Sequence, residues 1–267
     1  MSVFLSLDNI TSKVLSHYVP VNELKELPPP PFLSSLSPSI TKMGSSSFEF
    51  KTLLDGVLLF VDSKSLQIVQ TIGSFDELIG IRTTKDLRLM YYSRATIEQF
   101  HIPDKITQWF SKCMNHIPAF YKDKIELSIG GLKVQHTNGN WVTLHANVYP
   151  FEGAKDRLEV VCILLREITY MHDSKDVWAR ISYGGTQPKT FAWHSSEKVK
   201  KNKDLLSLRE KEILEQVKNR KSNEEIGELL FISKHTVHQH RKNMMARLGA
   251  VDSTALVELA RMSKLLD

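Results

Sequence analysis

The spacing of apolar side chains changes along the chain from helical to alternating and back to helical. Leu7, Ile10, Val14, Leu15 and Tyr18 follow the helical period and predict a short amphipathic helix over residues 3–19. Pro28 to Pro31 lack amide hydrogens and end it, and the Ser-rich stretch 34–47 reads as an irregular arm. Short strands and turns come next. Gly56-Val-Leu-Leu-Phe-Val61 and Leu66-Gln-Ile-Val-Gln-Thr71 predict two strands joined by a polar hairpin connection, Asp62-Ser-Lys-Ser65. An aromatic-rich helical stretch covers residues 85–122. Leu132-Lys-Val-Gln-His136 and a strand from Trp141 to Tyr149 then flank Asn138-Gly139, a pair that suits the two positive φ values of a type I′ turn. The second of these strands puts Val142, Leu144, Ala146 and Val148 on one face and Trp141, Thr143, His145, Asn147 and Tyr149 on the other. Residues 158–165 are almost continuously apolar, as a central strand covered on both sides requires.

Residues 173–204 turn polar and basic around Gly184-Gly185, Pro188 and Lys198, Lys200, Lys201 and Lys203, and are read as a linker. From Ser207 the helical period returns with clear punctuation. Ser207-Leu-Arg-Glu210 and Ser222-Asn-Glu-Glu225 are capping boxes, each opening a helix. Ser233 caps a third helix that runs to Leu248 and stops at Gly249; Asp252 or Ser253 opens a fourth. Phe231-Ile-Ser233 leaves room only for a tight turn, so the second and third helices form a helix-turn-helix. In the third helix Val237, His240, Met244 and Leu248 form an inward stripe. Lys234, His235, His238, Gln239 and Lys242 share the opposite face, which is rich in donors and narrow enough for a major groove.

Composition sharpens this picture. The 267 residues suffice for two domains, and 42% hydrophobic with 9% aromatic residues excludes a mainly disordered chain. The net charge is +5, and all of it lies at the C-terminal end: residues 198–267 hold 15 Lys/Arg against 10 Asp/Glu, and the remainder balances. A neutral body with a basic end points to nucleic acid. The two cysteines, Cys113 and Cys162, form neither a disulfide framework nor a metal motif. No apolar run is long enough to span a bilayer, and the N-terminus lacks a signal-peptide pattern, so the expectation is a cytoplasmic protein with no metal and no membrane partner.

The run Leu206-Ser-Leu-Arg-Glu-Lys-Glu-Ile-Leu214, then Ser222-Asn-Glu-Glu-Ile-Gly-Glu-Leu-Leu230, Ile232-Ser-Lys-His-Thr-Val-His-Gln-His240 and Leu248-Gly249 resembles the LuxR-type DNA-binding domain. Carried over position by position, the resemblance implies base contacts from His238, Gln239 and Lys242, phosphate contacts from Ser233, Lys234, Thr236 and Arg247, and a fourth helix that pairs two copies, for which Ala255, Leu259, Met262 and Leu266 supply an apolar stripe. Three positions depart from the family: Arg220 replaces a turn glycine, Gly227 replaces an alanine, and Ser253 stands where a basic residue is common. Farther upstream, two strands, a helical insertion and three more strands, with Gly73-Ser-Phe-Asp-Glu-Leu-Ile-Gly80, Thr137-Asn-Gly-Asn-Trp141 and Arg166-Glu-Ile-Thr169, resemble a PAS domain. That resemblance implies a module that senses a small molecule or mediates dimerisation. The expected architecture is α+β: an arm (1–47), a PAS-like domain with a five-stranded antiparallel sheet (48–172), a linker (173–204) and a four-helix DNA-binding domain (205–267).

The function expected is a transcriptional regulator binding double-stranded DNA as a homodimer. Two alternatives compete for the upstream domain. Asp62 follows an apolar strand as the phosphoacceptor of a response regulator would, although no acidic pair precedes it and no Lys-Pro turn follows. His136, His145 or Cys113 could attach haem or flavin, and Tyr91, Tyr92, Phe100, Trp109 and Phe110 could line a cavity, but ordinary core packing accounts for all of them. No catalytic motif stands out, and the residues name no cofactor.

Overall fold

Alternating side chains build the sheet, and helical stripes cover it. The computed structural model of the chain describes residues 56–62, 65–81, 86–153, 157–184, 188–196 and 204–266; the expected first helix, proline run, arm and linker lysines lie outside them. Strands β1 (Val57–Asp62), β2 (Ile68–Ile72), β3 (Glu126–Gln135), β4 (Trp141–Gly153), β5 (Arg157–Glu167), β6 (Trp178–Tyr183) and β7 (Lys189–His194) form one antiparallel sheet in the order β2-β1-β5-β4-β3-β6-β7. Helices α1 (Phe75–Ile79), α2 (Leu87–Tyr92) and α3 (Ile102–Met114) fill the stretch between β2 and β3. Their apolar sides cover one face of the sheet. Phe75, Leu78, Ile79, Met90 and Tyr91 pack on Val57, Leu59, Val61, Leu144, Ala146, Ile163 and Leu165. Farther along the same sheet, Ile102, Ile106, Trp109 and Cys113 pack with Leu127, Ala179, Ile181, Phe191 and Trp193.

Two sequence expectations are corrected here. The sheet has seven strands, not five, because part of the supposed linker folds as the hairpin β6–β7. In Trp178-Ala-Arg-Ile-Ser-Tyr183 the alternation is masked because nearly every position is buried, and Gly184, at φ 102°, marks a strand end that reads in sequence as linker punctuation. The β3–β4 turn also differs from type I′. Only Gly139 has positive φ; the Gly139 amide donates to His136 O and the His136 amide to Asn140 O, giving a three-residue loop.

The C-terminal helices are α4 (Leu208–Lys218), α5 (Asn223–Leu230), α6 (Lys234–Leu248) and α7 (Ser253–Met262). Both expected capping boxes form, Ser207 with Glu210 and Ser222 with Glu225. Arg220 takes the left-handed φ of 60° that the missing glycine would have supplied. Gly227 has a packing reason, since a Cβ there would stand 2.7 Å from the Ile232 carbonyl in the turn. Ile213, Leu214, Val217, Ile226, Val237, Met244, Leu248, Leu256 and Leu259 share a core that also takes in Ile168, Met171 and Trp178 of the sheet-bearing part. The polar face of the sheet is thus a docking face for the helices. Ser128 lies beside Asn147 and Arg180, and Gly130 beside His145 and Trp178, on that one surface.

Candidate nucleic-acid interface

Helix α6 begins where Ser233 Oγ accepts the Thr236 amide at 3.0 Å, and ends at Gly249 with φ 72°. Its buried side is Val237, Met244 and Leu248, with His240 half-buried beside them. The opposite side presents Lys234, His235, His238, Gln239 and Lys242, all exposed. Gln239 Nε2 donates to Asn243 Oδ1 at 2.9 Å, which presets the amide along the helix axis. Lys234 stands 3.3 Å from Glu224 with both groups well exposed, a pair that salt and solvent weaken. Exposed donors on a helix capped at both ends, with a rigid apolar back, are what major-groove reading needs.

The structure brings His238, Gln239, Lys242, Ser233 and Lys234 to one surface, with Thr236 half-buried at its edge. Arg247 is drawn away from it. Its guanidinium donates to Glu210 Oε2 at 2.8 Å and to Leu205 O at 2.9 Å, tying α6 to the start of α4. Burial alone would raise the Glu210 carboxyl, but the Ser207 amide and the Arg247 charge hold it below its ordinary value. Ala255, Leu259 and Leu266 are buried within the chain, and Met262 is partly so.

Sequence spacing gave no sign of Arg241. It donates to Asn223 Oδ1 on α5 at 2.7 Å and to Ser253 Oγ on α7 at 2.6 Å, so one side chain fixes the angle of α6 to both neighbours. Ser253, where a basic residue is common, serves here as an acceptor. A polar residue on a half-buried helix face carries no spacing signal of its own, which is why the clasp shows only in three dimensions.

The candidate sensor residues are occupied structurally. Asp62 is buried, and its Oδ1 accepts the Ser65 amide at 2.6 Å and the Ser65 hydroxyl at 2.7 Å, closing the β1–β2 turn. His136 Nδ1 accepts the Asn138 amide, and His145 Nε2 lies 2.9 Å from Ser128 Oγ. Burial pushes the Cys113 thiol up to about 11, which leaves it in the unreactive form at neutral pH. Among the described residues no group of three His, Cys, Asp or Glu could hold a metal ion, and no helix is long and apolar enough to cross a membrane.

Residues 204–260 match the model of the bacterial regulatory proteins of the luxR family. Over 70 residues the chain is 44% identical to the spore germination protein GerE of Bacillus subtilis, spanning 26% of this chain and 95% of that protein. The chain belongs to the luxR family. Another match is the oxygen regulatory protein NreC of Staphylococcus aureus, 43% identical over 63 residues, which are 24% of this chain and 29% of that protein. The chain thus spans under a third of NreC's length. A solved structure titled as the VqmA–ligand–DNA complex of Vibrio cholerae is 14% identical, covering 82% of this chain and 88% of that one at a TM-score of 0.33. As a luxR-family member the chain is a DNA-binding transcriptional regulator.

Proposed function

We propose that this regulator binds an inverted repeat in double-stranded DNA as a homodimer, with α6 in the major groove and the sheet-bearing part sensing a signal or holding two copies together. The observation that carries the reading is the exposed donor face of α6, where His238, Gln239 and Lys242 stand on a helix fixed by Ser233, Gly249 and Arg241. Those three side chains read base edges, and Ser233, Lys234 and Thr236 lie along the adjoining backbone. Arg247, held by Glu210, orients α4 against α6 in place of the phosphate role that the family position implies. The two strands, helical insertion and three further strands support a PAS-like reading of residues 57–167, with β6 and β7 as an added hairpin. A small-molecule ligand of that part is the signal this reading calls for.

The test is selection from a random duplex library with the full chain, followed by titration of the selected site and its variants. Gln239→Ala and Lys242→Ala should each relax discrimination at their own base pair by about 1–3 kcal/mol, and wild-type binding should weaken steeply as salt rises. If both variants keep the wild-type operator preference, the assignment of the reading face is wrong.

A further inference from the structure

The terminal torsion of a glutamine is soft, so its amide turns over readily, and each orientation offers a different edge to a base. On α6 one orientation is held. Gln239 Nε2 donates to Asn243 Oδ1 at 2.9 Å, and both residues are exposed. Four residues apart on a helix, they lie one above the other, with Asn243 at the edge of the donor face. The backbone between them is fixed from behind: Arg241 bonds to Asn223 and Ser253, and Met244 is fully buried. The frame that carries the two amides is therefore rigid.

The bond decides which atoms of Gln239 remain for a base. One of the two Nε2 hydrogens is taken, which leaves one donor and the carbonyl Oε1 as an acceptor, side by side. That pattern complements the major-groove edge of adenine, where N7 accepts and the N6 amine donates. Guanine offers two acceptors there and matches at one atom only. With Oδ1 turned to Gln239, the Nδ2 of Asn243 is turned away from it with both hydrogens. On a surface shared with the exposed Lys234 and Lys242, that is the orientation a phosphate favours, because the reversed amide would set a carbonyl against the anion. Contact with DNA thus reinforces the pairing.

The geometry points to Asn243 as a specificity-determining residue of this regulator: it positions the Gln239 amide to read adenine, so the half-site carries an A·T pair where Gln239 meets it. The inference rests on the major-groove reading of α6 proposed above, and adds which base is read and what holds the reader. Asn243 touches no base itself. A glutamine free to turn over can also accept from the cytosine amine or donate to an acceptor of guanine. Loss of Asn243 therefore blurs the choice of base without removing the contact.

The test uses the full chain and a duplex selected from a random library by the wild type, with each position of the site varied in turn and all four base pairs titrated. Gln239→Ala marks the pair that Gln239 reads, since discrimination there should fall about tenfold. That pair should be A·T. Asn243→Ala should lower discrimination at the same pair about threefold and leave every other position unchanged. Alanine is the better helix former, so the variant keeps α6, and any lost phosphate contact cancels in the ratio of affinities. Asn243→Asp keeps the acceptor and adds a charge; it should retain the adenine preference while binding every duplex more weakly. In a Gln239→Ala background, Asn243→Ala should leave discrimination as it stands. A pair other than A·T at the Gln239 position would overturn the inference and leave the DNA reading standing. So would full adenine preference in Asn243→Ala, its loss in Asn243→Asp, or an Asn243→Ala effect spread evenly over the site. If Gln239→Ala alters no position, the reading face is misassigned and the inference falls with it.

Discussion

Lowering the pH from 7 to 5 perturbs two histidines that lie on the docking face. His172 is 4% exposed, with both ring nitrogens unpartnered, and His145 is fully buried with Nδ1 unpartnered. Burial, with the nearby Lys133, lowers His172 from its ordinary 6.5 to about 4; Asp173 and Asp176 pull the other way without prevailing. Burial, with Arg166, lowers His145 to about 3. A depressed histidine binds fewer protons folded than unfolded, so its stabilisation is complete above pH 6.5 and drains as the pH falls toward the folded value. Between pH 7 and pH 5 each histidine should therefore cost the fold about 2 kcal/mol, and the pair about 4 kcal/mol. The buried carboxylates do not confuse this window. Burial alone would raise Asp204, but the bonds and charges of Arg180 and Lys211 hold it below its ordinary 3.8, so its contribution is lost only at more acid pH. The assay is urea unfolding at half-unit pH steps, on the wild type and on His172→Leu, which keeps bulk between Gly131 and Gly249 while removing the titrating ring. The variant should lose about half of the pH dependence at unchanged m-value. A variant with the full wild-type slope would refute the reasoning, because the protons would then be binding elsewhere.

Three further outcomes follow from single positions. Gly249 has φ 72° and faces His172, so Gly249→Ala should cost about 1–2 kcal/mol for the left-handed backbone, with an added penalty from collision with the ring. A double-mutant cycle with His172→Ala should recover the added penalty, and strict additivity would show that the two do not touch. Phe231 holds φ 55° at 94% exposure, so Phe231→Gly should stabilise the chain by up to about 1 kcal/mol in thermal unfolding; a loss would mean that the ring packs on something. Arg241→Met removes both arms of the clasp and should cost about 2 kcal/mol, with the loss shared by Asn223→Ala in a cycle of the two. Independent effects would place the orientation of α6 elsewhere.

The helical part was the more legible in sequence because its signals are local. A cap such as Ser222, its partner Glu225 and the stop at Gly249 act within a turn of each other, so spacing alone reports them. The alternating face of β4 was equally readable, and Val142, Leu144 and Ala146 do point to α1 and α2. What spacing could not supply was the cover on the other face. The opposite, more polar face carries Thr143, His145 and Asn147, and its spacing does not say what covers it, yet all three are buried. For the same reason β6 escaped notice: Trp178 and Arg180 are buried in a seam between parts far apart in sequence, so no periodic exposure marks the strand. The apolar spacing of Ala255, Leu259 and Leu266 was sound as a statement of burial, but a stripe does not say whether its own chain or another copy covers it.

The contact between the sheet and the carboxyl-terminal helices combines an apolar core with directional bonds to helix ends. The apolar part of the contact, Ile168, Met171 and Trp178 against the helical core, would by itself tolerate several relative orientations. Trp178, His194, Asn147 and Arg180 each donate to one particular carbonyl at a helix end, which selects one orientation among those the apolar contact allows. The Arg180–Asp204–Lys211 group works in the same sense. A buried ion pair adds little over an apolar substitute of equal volume, yet it penalises any arrangement in which a charge is left alone. The sheet therefore specifies one docked position through directional bonds set around a shared apolar core.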